Sequence, residues 1–371
     1  MELKKYRFDE VTINFDKRRV PLSGAQRERR PGKYRYYGAQ GIIDHIDDFI
    51  FDGTYLLIAE DGENLKSKKQ NIAQVVDGQF WVNNHAHVVQ GNELCDTRYL
   101  CYLLNSMDLS GYITGSAQPK LSQANLNAVT MFLPSIDEQK KIIEYLYTLD
   151  KKIVVNQRIN DNLRQQAAAL FANFYDRAET EVGFTEIIQI LGGGTPKTGE
   201  SSYWNGNVPF FTPKDVGSPY TLATEKTITE EGLAHCNSRL YPINTVFVTA
   251  RGTVGKVGLP GVPMAMNQSC YALVGKDTHQ LLVYFYTLKA VDRLKHKASG
   301  AVFDAITTRD FESEIIMKLS DDDEKAFLDV AQPIYQAVLS NSIENLGLAA
   351  LRDSLLPKLM SGEIDVSAVQ L

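Results

Sequence analysis

"SIDEQKKIIEYLYTLDKKIVVNQRINDNLRQQAAALFANF", residues 135–174, carries a stripe of side chains at alternating steps of four and three. The stripe runs through Ile142, Leu146, Leu149, Ile153, Asn156, Asn160, Leu163, Ala167, Leu170 and Phe174. Apolar residues at that spacing predict a long helix with one partner-facing seam. Ser135-x-x-Glu138 in front of it is a capping box, in which the serine oxygen and the glutamate carboxylate satisfy free N–H groups at a helix start. Only Asn156 and Asn160 interrupt the seam. A polar Asn at such a place costs stability and fixes register and partner choice.

The seam is written twice. Shifted by 185 residues it becomes Phe327, Ala331, Ile334, Val338, Asn341, Asn345, Leu348, Arg352, Leu355 and Leu359, with both Asn in matching places. Ser320-x-x-Asp323 repeats the cap with a shorter acid. "YLCYLLNS" from Tyr99 falls on "YFYTLKAV" from Tyr284, and Gly115 falls on Gly300. A slightly smaller offset, 183, sets Asn84 of "WVNNHAHVV" over Asn267 of "MAMNQSCYALV". The chain therefore reads as an internal duplication. Two helices with matching interruptions should pair with each other, antiparallel if the halves are related by a two-fold. Pro333 should kink or restart the second helix, and Gly362 should stop it.

The expected fold class is α/β, in α+β modules: residues 1–134 and 179–319 form two similar modules in a pseudo-two-fold duplication. Helices over 135–178 and 320–365 form an antiparallel coiled coil between them. A seam from 142 to 174 would be about 50 Å long at 1.5 Å per residue. Such a helix pair is a ruler, holding the modules apart to touch two separated sites on an extended partner. DNA with half-sites more than one turn apart fits that description.

Composition narrows the class. Of 371 residues, 44% are hydrophobic and 23% charged, ordinary for a chain with buried cores. No apolar run approaches the roughly 20 residues needed to span a bilayer, and "MELKKYRFDEVTINFDKRR" is too charged for a signal-peptide core. A cytoplasmic protein without a membrane partner is expected. Cys95, Cys101, Cys236 and Cys270 show no C-x-x-C spacing. His85 and His87 would share one face of a strand, but no third ligand accompanies them and no metal is expected. The net charge of −6 hides an asymmetry: residues 1–40 hold eleven Lys/Arg against five acids, with Tyr34, Tyr36 and Tyr37 interleaved. Basic residues mixed with aromatics suit contact with nucleic acid.

Catalysis has no visible home. "LGGGTPKTGESSYWNG" (191–206) lacks the Gly-Lys pair and following hydroxyl of a phosphate-binding loop, and "RGTVGKVG" (251–258) has Val257 where Ser or Thr is required. No Pro-Pro pair exists for a base-flipping methyltransferase loop. Asp52, Glu60, Asp61 and Glu63 could serve a metal-dependent nuclease acting alone, the alternative from another class. No acid-x-Lys pair follows them, and Asp52-Gly53 and Asp61-Gly62 read as turns.

Taken together the chain resembles the specificity subunits of type I restriction-modification enzymes. The resemblance rests on "GGGTPKT" with "YWNGNVPFFTPKDV" (192–216), "ARGTVGKVG" (250–258), "MNQSC" (266–270), "KYRYYGAQGIIDHIDDFIFDGTYLLIAEDG" (33–62), "LPSIDEQKKI" (133–142) and "LRDSLLPKLMSGEIDV" (351–366). It implies two target recognition domains, 1–134 and 179–319, each reading one part of a split DNA sequence, and a spacer coiled coil. It implies that the chain is not an enzyme and binds no cofactor of its own. Two methyltransferase subunits with S-adenosylmethionine would methylate adenine N6, and endonuclease subunits that translocate DNA would use ATP and Mg2+. The first domain opens on "RRVPLS" and the second on Gly-Gly-Thr-Pro, so a non-palindromic target is expected.

Base edges are read mainly by Arg or Lys on guanine and Asn or Gln on adenine. The candidate DNA-binding residues are Arg18, Arg19, Lys33, Tyr36, Gln118 and Lys120 in the first domain. In the second they are Thr195, Lys197, Tyr203, Lys214, Arg251 and Lys256. Trp204, Phe210 and Phe211 read as core, and Asn267 as the brace of a turn. Asn156, Asn160, Asn341 and Asn345 are assigned to coiled-coil register.

Overall fold

The computed structural model describes residues 1–67, 70–115, 118–217, 219–297 and 305–367. Its four longest helices are α1 (Thr97–Ser106), α2 (Ile136–Asp176), α3 (Gln280–Lys297) and α4 (Asp321–Met360). The chain divides into two compact units, residues 1–151 with 348–371, and residues 152–347. Each long helix, α2 and α4, thus contributes one stretch to each unit.

In the first unit a six-stranded sheet runs in the order Thr12–Asn14, Ala86–Gly91, Phe51–Ala59, Ala73–Val82, Pro31–Gly38, Gly41–Ile46. All its pairings are antiparallel except Pro31–Gly38 on Ala73–Val82. Strand side chains alternate between faces, and both faces of Phe51–Ala59 are used. Phe51, Tyr55 and Leu57 meet Phe80 and Val88 on one side. Leu56 and Ile58 join Tyr99, Leu100 and Leu104 of α1 on the other, with Ile142 and Leu146 of α2 and Leu359 of α4. A ribbon of Lys4–Arg7 against Thr130–Leu133 leads into α2.

The second unit repeats the plan with smaller sheets. One orders Ile188–Gly192, Cys270–Gly275, Val246–Thr249, Val257–Pro260 and Tyr220–Thr221; the other orders Lys226–Ile228, Trp204–Phe211 and Ala265–Met266. A ribbon of Thr180–Gly183 against Ile315–Lys318 precedes α4. Phe171 of α2, Phe285 of α3 and Phe327 of α4 pack ring to ring, with centroids 4.9 to 5.4 Å apart. Phe210 and Phe211 are buried, as expected.

The helices pair as an antiparallel coiled coil, and none of the twenty seam positions is exposed. In the second unit, Asn156 donates to Oδ1 of Asn345 at 2.9 Å and Asn341 donates to Oδ1 of Asn160 at 2.8 Å. Numbers rise along one helix as they fall along the other. In the first unit Arg352, the one charged seam residue, donates to Asp150 at 2.6 Å, and Tyr102 donates to the other oxygen of Asp150 at 2.5 Å. Removing a charged group from water is tolerable when it is paired in this way.

The caps differ. Ser135 and Glu138 form the full reciprocal box, N–H of Ser135 to Glu138 at 3.0 Å and N–H of Glu138 to Ser135 at 3.4 Å. At the second helix Ser320 caps Asp323 N–H at 3.2 Å, but the Asp323 carboxylate turns to Arg177 at 2.5 Å. Pro333 does not restart α4, which runs unbroken from Asp321 to Met360. The ring removes the donor for one carbonyl, while buried Ala331, Tyr335 and Val338 on either side hold the flanking turns. Gly362 ends the helix at φ +78°, a left-handed conformation that favours glycine. The Gly115–Gly300 match falls on Gly300, outside the described residues.

Candidate nucleic-acid interface

In the second unit Gly193 and Gly194 serve close packing. A Cβ on Gly193 would lie 2.1 Å from the carbonyl oxygen of Asn267, and one on Gly194 would lie 2.6 Å from Asn237 N. Only a residue without a side chain lets the entry loop approach so closely. The approach sets Thr195 beside Gln268, to whose side-chain oxygen its hydroxyl donates. Lys197 is exposed, and its carbonyl accepts from the indole N–H of Trp204 at 3.2 Å. Tyr203 stacks on His235, with centroids 5.0 Å apart.

Beside that loop lies a groove of about 460 Å³ lined by Lys214, Lys226, Arg251, Asn267 and Ser269, with Glu225 as its one acid. Lys214 and Arg251 are thereby brought together. Lys256 is exposed, with its own backbone N–H tied to Thr249 at 3.0 Å. Lys226, with its ammonium 5.7 Å from the Trp204 ring, was not singled out in the sequence, where "TEKT" offers nothing to mark it.

In the first unit the candidates separate into two kinds. Arg19 and Lys120 converge on Glu60, at 2.9 and 3.3 Å. Arg19 also donates to the carbonyl of Ala86 at 2.9 Å, so much of its guanidinium is spent on structure. Burial pushes the Glu60 carboxyl up, but the bonds from Arg19 and Lys120 and the nearby His87 outweigh it and hold it below its ordinary value. Arg18 donates to the carbonyl of Ile50 at 2.6 Å with its guanidinium 4.6 Å above the Phe51 ring. Lys33 and Gln118 are exposed. Tyr36 is a correction: it is fully buried, and its hydroxyl accepts the N–H of Leu22 at 2.8 Å, leaving no surface for a ligand.

The histidines also differ from expectation. His87 lies in the strand with Nδ1 2.7 Å from Asp16 and Nε2 2.9 Å from the carbonyl of Leu121, whereas His85 sits in the preceding turn against Asp61. Both ring nitrogens of His87 are occupied by protein partners. Among the described residues no group of three His, Cys, Asp or Glu could hold a metal ion. Of the four carboxylates weighed for a nuclease, Asp52 accepts from Gln79 at 3.0 Å, and Glu60 and Asp61 have the partners named above.

One turn recurs in both units, and it corrects the offset. The strands Ala86–Gly91 and Cys270–Gly275 begin 184 residues apart, so Asn83, not Asn84, matches Asn267. Asn83 N–H donates to Tyr37 at 3.0 Å as Asn267 N–H does to Phe211 at 2.9 Å. Each Asn side-chain oxygen then accepts the N–H two residues on, His85 at 2.8 Å and Ser269 at 3.0 Å. The carbonyl of the third turn residue is bonded in both units, by Glu60 N–H at 2.9 Å and by Ala250 N–H at 2.8 Å. The exposed tips are Asn84 and Gln268.

Comparisons with known proteins agree with this duplicated plan. The model of the type I restriction modification DNA specificity domain matches residues 2–165 and 180–324. The type I restriction enzyme HindI specificity subunit of Haemophilus influenzae is 23% identical over 90% of this chain and 89% of its own length. A putative type I restriction enzyme specificity subunit of the same organism, S.HindORF215P, is 33% identical over 141 residues, and the match spans only 36% of that relative and 38% of this chain. The crystal structure of a type I restriction-modification S subunit from M. genitalium shares the fold with a TM-score of 0.60 at 15% identity, over 97% of this chain and 96% of that one. The chain belongs to the type I restriction modification DNA specificity domain family, and both of its halves carry the match.

Proposed function

We propose that this chain is the sequence-reading subunit of a type I restriction-modification complex and recognises a bipartite, non-palindromic site on double-stranded DNA. The groove of Lys214, Lys226 and Arg251 carries the reading: three cations against one acid form a phosphate-binding surface. The recognition domains are residues 1–134 and 179–319, with 135–178 and 320–365 as spacer helices that set the distance between half-sites. The methyltransferase subunits, two of them, dock on the helix pair. Val154, Val155 and Ile159 of α2 and Ile343 and Leu346 of α4 remain 40 to 52% exposed in the second unit, an apolar supply for helix packing. S-adenosylmethionine, ATP and Mg2+ belong to those methyltransferase subunits and to the restriction subunits, in the cytoplasm. Duplex binding by the full chain, titrated with salt, tests the proposal. A steep loss of affinity with salt, with the DNA left uncut in the presence of magnesium, is expected. A flat salt response sinks the DNA reading, and cleavage by the chain alone favours the nuclease.

A further inference from the structure

The turn shared by the two units holds an amide side chain at its tip in each, Asn84 and Gln268. The turn is bonded from several sides. In the second unit Asn267 N–H is held by Phe211, the Ser269 carbonyl accepts from Ala250 at 2.8 Å and Arg251 at 3.3 Å, and Gly194 N–H donates to Met266 at 3.1 Å. A side chain on so fixed a backbone loses little freedom when it binds. Thr195 then orients the Gln268 side chain by donating to its oxygen, which keeps its second lone pair, and its amide N–H groups have no partner among the described residues. Asn267 and Ser269, on either side of Gln268, line the cationic groove. In the first unit, Arg19 braces the Asn84 carbonyl at 3.4 Å and shares Glu60 with the exposed Lys120, which stands beside that tip.

We infer that Asn84 and Gln268 are the paired base-reading side chains of the two units, each recognising an adenine in its own half of the target, with Thr195 positioning Gln268. The inference rests on the DNA reading proposed above. A carboxamide matches the donor and acceptor that adenine presents in the major groove, and it carries no charge to attract phosphate. The groove cations beside the Gln268 turn, and the exposed Lys120 beside the Asn84 turn, hold the DNA backbone while the tip reads the base, a division of labour general to DNA recognition.

Selection of duplexes from a randomised library by the full chain tests this, using the native protein, N84A, Q268A and T195V. Both tips are exposed, so N84A and Q268A keep the fold. Q268A should lose preference at one base pair of one half-site by about tenfold or more, with an unchanged salt slope. N84A should do the same in the other half alone. T195V should weaken the same position as Q268A, and less. Uniform loss across all sequences, a reduced salt slope, or unaltered preferences in both alanine variants overturns the inference. If the native chain itself selects no sequence, the DNA reading falls, and this inference with it.

Discussion

Asn341 donates its side-chain N–H to the side-chain oxygen of Asn160 at 2.8 Å, and Asn160 in turn donates to the carbonyl of Val338 at 3.3 Å. Asn160 is 7% exposed, so its partner cannot be replaced by water without cost. Asn160→Leu should destabilise the chain by about 1–3 kcal/mol, because Asn341 loses its acceptor. The double variant with Asn341→Leu should recover most of that loss, since two apolar groups leave nothing unsatisfied. Denaturant unfolding of the two single variants and the double one measures the coupling. Strictly additive effects would show that the bond contributes nothing.

Glu324 stands where the first half has Gln139, 185 residues earlier. Gln139 is fully bonded, to Leu94 at 2.9 Å, to Pro134 at 3.0 Å and from Asp96 at 2.9 Å. One oxygen of Glu324 is buried without a partner among the described residues, and burial, with Asp321 nearby, holds its carboxyl above the ordinary value despite Lys318. The unfolded chain ionises at the ordinary value, so this stability is full below it and is lost as pH rises through the folded value. Glu324→Gln should therefore stabilise by about 1 kcal/mol at neutral pH. Melting curves of the two proteins should converge as pH falls towards the carboxyl range and separate above it.

The opposite sign applies to Asp16. Burial pushes its carboxyl up, but the bonds from His87 and Val88 N–H, with Arg19 beside them, outweigh that and leave it below the ordinary value. Its contribution is present above the unfolded value and is lost as pH falls through the folded one. Asp16→Asn should cost about 2 kcal/mol near neutrality, as expected for a bond to a charged group. The gap between native and variant should narrow on acidification; a gap constant with pH would rule out the charge as its source.

The sequence made the helices legible because a seam of alternating four and three steps has one physical solution, and the matched Asn pairs named the partner. The reading edge was harder. Tyr36 looked accessible beside Arg35 and Tyr37, but strand alternation turns it into a cluster with Ile46 and Trp81. Arg19 looked free because Asp16 is its only near acid in sequence, while Glu60 arrives from the bend that follows the strand Phe51–Ala59. Gln268 lay inside the quoted "MNQSC", yet its counterpart stayed hidden while the offset was one residue short. A register error of one exchanges the bonded Asn of the turn for its exposed tip.

Gly193 makes the close approach of the entry loop to the turn testable. A methyl group there would lie 2.1 Å from Asn267 O and 2.7 Å from Met266 O, both backbone atoms that cannot swing aside. Gly193→Ala should cost about 1–3 kcal/mol by overpacking and move Thr195 away from Gln268. Loss of stability by thermal unfolding should be accompanied by weaker discrimination at the base pair that Q268A relaxes. An alanine variant as stable as the native chain would show that the loop does not need this approach.

The groove cations should behave unlike the turn tips. Lys214 is 81% exposed in its side chain and only 3.9 Å from Glu225, a surface pair that contributes little to folding. Lys214→Ala should therefore leave the melting temperature unchanged while lowering affinity for all duplexes alike. Each phosphate contact removed should flatten the plot of log affinity against log salt by about 0.9. Arg251→Ala should add a second such step, because Arg251 lines the same groove. If either variant instead alters which base pair is preferred and leaves the slope intact, that residue reads sequence, and the groove is not the backbone clamp.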